Sequence, residues 1–119
     1  MDSSERRRYP RIESQLELKL VNGGADIFAT SVNISRSGVL CVVNQELTLM
    51  TKYRIAIELP FGSGDKASRK WIKCEGVVVR VQTAEPGSWH IAIFFSDMKE
   101  SDSKLLREYV DTHQQQQGY

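Results

Sequence analysis

The chain has 119 residues, a formal net charge of +1 and a pI near 7.8. That length suits one domain around one core, and the near-neutral charge argues against a general nucleic-acid binder, whose domain would be strongly basic. Mean hydropathy is −0.38, and no apolar run approaches the roughly 20 residues that a membrane span needs.

Residues 1–14 read as a flexible polar arm. Its centre is Glu5-Arg6-Arg7-Arg8-Tyr9-Pro10-Arg11, in which four of seven residues are arginine. No hydrophobic period runs through it, and Pro10 keeps Tyr9 out of the helical region. The arm is therefore extended or turned, and its charge is local while the acids are spread along the chain. A local patch suits a defined anionic ligand better than a long polyanion. The N-terminus lacks the apolar stretch of a secretory signal, which points to the cytoplasm.

Leu16, Leu18 and Leu20 alternate with Glu17 and Lys19, the pattern of a half-buried strand. Asn22-Gly23-Gly24 signals a turn. Residues 27–34 are rich in β-branched residues and predict a second strand. Ser35-Arg36-Ser37-Gly38 interrupts it, and residues 39–43 make a third. Residues 44–52 read as a loop, with a short strand at residues 47–49. Tyr53, Ile55, Ile57 and Leu59 alternate into a fourth strand, and residues 60–70 hold the glycines and serines of a mobile loop. A long strand follows over 71–81, with Gly76 marking a bend or bulge. Residues 84–88 form a hairpin loop, and Trp89, Ile91, Ile93 and Phe95 a final strand.

After Ser96 the period changes. Asp97 followed by Glu100 resembles a capping box, and Leu105, Leu106, Tyr109 and Val110 recur at helical spacing. The layout is thus an arm over 1–14, a barrel over 15–97, a helix over 98–113 and a disordered tail over 114–119. Six short antiparallel strands with hairpin spacing predict a small all-β barrel, closed at one end by the helix. Trp71 and Trp89 are read as core or barrel-end packing.

Cys41 and Cys74 lie in apolar strands and read as small buried hydrophobes. A reducing compartment disfavours a disulfide between them, and His90 and His113 lack metal-ligand spacing. Ser35 has no triad partners, and Gly62-Ser63-Gly64 lacks the Lys-Ser/Thr of a phosphate loop. No catalytic set, metal site or cofactor is predicted.

Strand parity marks a second set of polar residues. In residues 27–34, Phe28, Val32 and Ile34 share one face, while Ser31, Asn33 and a continuing Ser35 share the other. Burial of the apolar set predicts Asn33 and Ser35 side by side on the outer wall. Gly38 follows, able to adopt φ > 0 and bare where a flat ligand approaches the backbone. Locally the segment is also compatible with a turn in which Asn and Ser bond nearby backbone.

Arg7-x-x-x-Arg11 followed by Asn33-x-Ser35-x-x-Gly38 resembles the two-part signature of PilZ domains, RxxxR and (D/N)xSxxG. These are bacterial receptors for the second messenger cyclic di-GMP. The resemblance covers most of the chain: arm, six-stranded antiparallel barrel and C-terminal helix. It implies that Arg7, Arg11, Asn33, Ser35 and Gly38 bind cyclic di-GMP, with Arg6, Arg8 and Arg36 as accessory candidates. Basic Arg6 before the first motif implies an intercalated ligand dimer. It further implies a receptor without catalysis, whose arm orders on the barrel wall and changes a surface for an effector protein of motility, exopolysaccharide or other envelope machinery.

The chemistry is compatible with this. An arginine fork fits phosphate oxygens bidentately, matches guanine O6 and N7 and stacks on bases. Arg7 and Arg11 are on the order of 13 Å apart if extended, enough to address different parts of one ligand. Asn33 can both donate and accept along a guanine edge, and Ser35 can reach a base or phosphate. Gly76 to Arg80 reads as barrel wall, with Arg80 able to fringe the site. Two other readings remain: a small barrel binding single-stranded nucleic acid, and a degenerate domain of the same family that contacts only proteins. The low net charge and the lack of a row of exposed aromatics count against the first, the intact motifs against the second.

Overall fold

The computed structural model describes residues 11–62 and 64–116. Its strands are β1 (Ile12–Glu13), β2 (Glu17–Val21), β3 (Ile27–Ile34), β4 (Gly38–Val43), β5 (Lys52–Phe61), β6 (Ser68–Thr83) and β7 (Trp89–Met98), followed by helix α1 (Glu100–Gln116). All pairings are antiparallel, in the order β1-β3-β2-β5-β6-β7-β4, and β4 returns to pair with β3. This last pairing closes the sheet. β1 and β2 pair with successive stretches of β3. They make one strand position, broken at residues 14–16, where Ser14 N–H donates to Val32 O (3.0 Å) and Ser31 N–H to Leu16 O (2.9 Å). The result is the six-stranded barrel with a C-terminal helix that the alternation predicts, and among the described residues closure removes the free edges of an open sheet apart from the end of β5 beyond Ile57.

The inward positions supply the core. Leu18, Leu20, Ile34, Val39, Cys41, Ile55, Ile57, Leu59, Ile72, Val78, Ile91 and Ile93 are all buried. Leu106, Tyr109 and Val110 of α1 are equally buried, and each such side chain contributes roughly 1.5–3 kcal/mol on leaving water. The helix lies against β5, β6 and β1, and Tyr109 meets Phe61 edge-on at 6.3 Å between ring centroids. Cys41 and Cys74 are buried free thiols. Burial pushes both up to about 12, so neither is a ready nucleophile.

Several boundaries differ from the sequence reading. Ile12, placed in the arm, is fully buried, so the barrel begins earlier than residue 15. The hairpin β5–β6 extends through Phe61↔Ser68, so the strands take in both ends of the loop that the sequence predicts over residues 60–70, and the connection holds a 3₁₀ segment, Gly64–Lys66. Pro60 fits within β5 because β2 pairs no further than Ile57, leaving that edge without a ladder partner. Asp97 is no helix cap. It lies in β7 opposite Glu75, and the first helical bond is Ser103 N–H to Lys99 O, 2.9 Å. α1 runs to Gln116, so residues 114–116 form its end rather than a disordered tail. Residues 47–49 form no strand. Leu47 is buried, and the chain then turns through Met50 at φ 67°. Trp71 is half exposed rather than packed, whereas Trp89 does pack against the core. Gly76 sits where the β6–β7 register shifts, as its place in a long strand suggested.

Candidate functional site

The site is built on the outer wall of β3 and β4. The parity expected for β3 is wrong in its first half. Leu18 and Leu20 of β2 point inward and pair with Ala29 and Ile27. Phe28 is thereby set opposite Lys19 and turned to solvent, at 72% exposure. Ser31, two residues beyond Ala29, points inward and is 2% exposed. Strict alternation would then bury Asn33. A β-bulge prevents it: Ser31 pairs with Cys41 and Asn33 with Leu40, so Val32 is an extra residue. The phase flips, Ile34 enters the core and Asn33 faces outward, half-buried.

Arg11 stands beside Asn33. Its Nη1 donates to Asn33 Oδ1 at 3.0 Å. The last residue of the first motif thus touches the first residue of the second, 22 positions later in sequence. β1 brings them together, because Ile12 pairs with Ile34 and Glu13 with Asn33. The break between β1 and β2 is secured by the buried hydroxyl of Ser31, which accepts from Leu16 N–H (2.7 Å) and shares a hydrogen bond with Ser14 Oγ (2.7 Å). Sequence reasoning placed Ser31 outward and missed this role. The signal lay in its partner residues, which only the pairing reveals. Beside Asn33 an open groove of about 770 Å³ runs between Glu13, Ser14, Gln15, Thr30, Val32 and Val42.

Ser35 is not on the outer wall beside Asn33. It is 1% exposed, and its Oγ accepts from Ser37 N–H and pairs with Ser37 Oγ, both at 3.2 Å. Its own N–H donates to Gly38 O at 2.9 Å. The side chain shapes the β3–β4 turn, the local role that serine plays when it bonds its own backbone. Arg36 lies at the tip of that turn, half-buried. Gly38 is not among the glycines with positive φ. It is glycine for another reason: a Cβ there would lie 2.4 Å from the carbonyl oxygen of Ile93. Close approach of β4 to β7, rather than unusual torsion, excludes a side chain. Arg6, Arg7 and Arg8 lie outside the described residues. Among the described residues no cluster of three or more His, Cys, Asp or Glu could hold a metal ion.

Residues 5–112 match the family model of the PilZ domain. The chain belongs to the PilZ domain family. No curated protein matches its sequence, but solved structures resemble its fold. The motility inhibitor MotI (DgrA) of Bacillus subtilis superposes with a TM-score of 0.81 at 22% identity, over 95% of this chain and 53% of that one. The PilZ domain of Escherichia coli YcgR, solved with cyclic di-GMP, gives 0.67 at 12% identity over 94% of both chains. The longer YcgR complex gives 0.71 at 12% identity, over 94% of this chain and 47% of that one. The chain thus spans about half the length of MotI and of the longer YcgR structure. At these identities the likeness speaks for the fold, which this PilZ domain shares across its barrel and helix. No helix among its described residues is long and apolar enough to cross a membrane.

Proposed function

We propose that this PilZ domain is a receptor for cyclic di-GMP that acts in the cytoplasm. The contact between Arg11 and Asn33 carries the reading, because it joins the two halves of the motif at one point of the outer wall. The guanidinium has five donors, so one group can meet Asn33 and also bind a phosphate or a guanine edge. Arg7 lies four residues upstream on the arm and reaches a different part of the same ligand. Ser35 acts by shaping the turn that carries Arg36 and Gly38. Cyclic di-GMP is the ligand named with the YcgR structures, and the family is one of receptors and adaptors rather than enzymes.

The ligand gathers the arm onto the wall, and the ordering entropy of the arm offsets part of the gain. Arg6 and Arg8 add charge to the arm, and Arg6 favours two stacked ligand molecules. The ordered arm is a new surface for an effector protein of motility, exopolysaccharide or other envelope machinery. Isothermal titration with cyclic di-GMP and with GTP tests the reading. Selective binding at micromolar ligand is expected, and its absence refutes a receptor function. Arg7→Ala and Arg11→Ala should each lose at least about 2 kcal/mol, the scale of a hydrogen bond to a charged group. Wild-type affinity in both variants would show the arginines to be bystanders.

A further inference from the structure

The β3 bulge that turns Asn33 outward has a counterpart on β6. Val78 is fully buried opposite Ile93, so strict alternation would also bury the residue two positions on. Instead the register with β7 shifts between Val78 and Arg80, Val79 is the extra residue, and Arg80 is exposed opposite Ala92. Cross-strand register connects the two re-aimed residues. Asn33 pairs with Leu40, Leu40 with Ala92, and Ala92 with Arg80. Two bulges on different strands thus deliver two polar side chains to opposite ends of a single outward row. Bulges next to binding sites commonly re-aim a side chain in this way.

The row has a low, apolar floor in Leu40 and Ala92, both half-buried. Alongside runs the row Gly38–Phe94–Val77. Phe94 is 52% exposed, and its neighbour across the ladder toward β4 is Gly38, which has no side chain. One flank of the aromatic ring is therefore uncovered. No hydrogen bond or ion pair holds Arg80 among the described residues. An aromatic face beside an unengaged arginine fork is the chemistry of a purine site: the ring stacks on the base and the fork meets guanine O6 and N7.

The structure assigns Phe94 and Arg80 to a second base-binding subsite, which takes the guanine of the dinucleotide that lies away from the arm. The assignment rests on the receptor reading above. From Asn33 to Arg80 are three strand spacings, about 14 Å, a span that the bases of one extended ligand or of two stacked ligand molecules bridge. Arginine at this end also makes the subsite selective, because adenine presents an amino donor where guanine presents O6.

Calorimetric titration of the full chain with cyclic di-GMP and cyclic di-AMP, for wild type, Arg11→Ala, Arg80→Ala, Arg80→Lys and Phe94→Ala, tests it. Both side chains are exposed, so the unfolding midpoint of each variant should stay near that of wild type. Arg80→Ala and Phe94→Ala should each raise the Kd for cyclic di-GMP about tenfold or more. Arg80→Ala should also narrow the preference over cyclic di-AMP. Arg80→Lys should not restore affinity, because an ammonium lacks the planar fork. If wild type binds and Arg11→Ala abolishes binding, while both wall variants stay within about twofold of wild type, the subsite is refuted and the receptor reading stands. Full restoration by Arg80→Lys refutes base recognition in favour of simple charge. If wild type itself does not bind, the receptor reading fails and the subsite with it.

Discussion

Replacing Gly38 by alanine separates two reasons for a glycine in the second motif. If the position is bare only to admit a ligand, the substitution should spare the fold and impair binding. The geometry says otherwise. An ideal Cβ lies 2.4 Å from the Ile93 carbonyl oxygen, 3.4 Å from its carbonyl carbon and 3.5 Å from Cα of Phe94. All three are backbone atoms, so no side chain can swing aside. A carbon–oxygen contact needs about 3.3 Å, so β4 and β7 must part locally by about 0.9 Å. That displacement stretches the adjoining bond from Phe95 N–H to Ser37 O, now 2.9 Å, beyond hydrogen-bond range. Overpacking costs typically 1–3 kcal/mol, and one or two weakened ladder bonds cost about 1 kcal/mol each. The lower chain entropy of alanine returns roughly 0.5–1 kcal/mol. The net loss is about 3 kcal/mol, within a range of roughly 1–4.5 kcal/mol. Urea unfolding measures it as a lower midpoint at unchanged slope. A loss under about 0.5 kcal/mol, the range of neutral surface changes, would refute the close-approach argument.

Two further outcomes follow from buried groups. Ser31→Ala removes the hydroxyl that accepts from Leu16 N–H at 2.7 Å, leaving a buried donor unpaired at a cost of about 1–3 kcal/mol. An unchanged urea midpoint would show that Ser31 does not secure the break between β1 and β2. The two thiols set an alkaline limit. Their values rise on folding from 9.0 to about 12, so the folded chain retains protons that the unfolded chain releases. Their contribution is complete below pH 9 and falls from pH 9 to 12, by about 1.4 kcal/mol per pH unit for each thiol. Tyr109, raised by burial, acts in the same direction. Thermal midpoints recorded from pH 8 to 11 should decline, and less steeply in Cys41→Ala. A decline equally steep in that variant would exclude a role for the Cys41 thiol.

The strands of this barrel were legible where one face is core and the other solvent. Leu16-Glu17-Leu18-Lys19-Leu20 and Tyr53 to Leu59 show their period without reference to any partner. The stripe Leu106, Tyr109 and Val110 shows the helix in the same way. Boundaries were less legible. β7 extends into Asp97 and Met98 because β6 is long enough to pair with them, and Ile12 is core because β3 continues to Ile34.

The candidate site divides along the same line. Motif spacing pointed to Arg11 and Asn33, and the barrel brings them to 3.0 Å. It could not show that Ser35 is buried in a turn, or that Ser31 holds the strand break behind them. Residue types at fixed spacing thus determine the family, the alternating strands and the arginine-rich arm, because these depend on local period and chemistry. The direction in which Asn33 and Arg80 point depends on two bulges. A bulge arises only when one strand has a residue more than its partner, so only the closed sheet decides it.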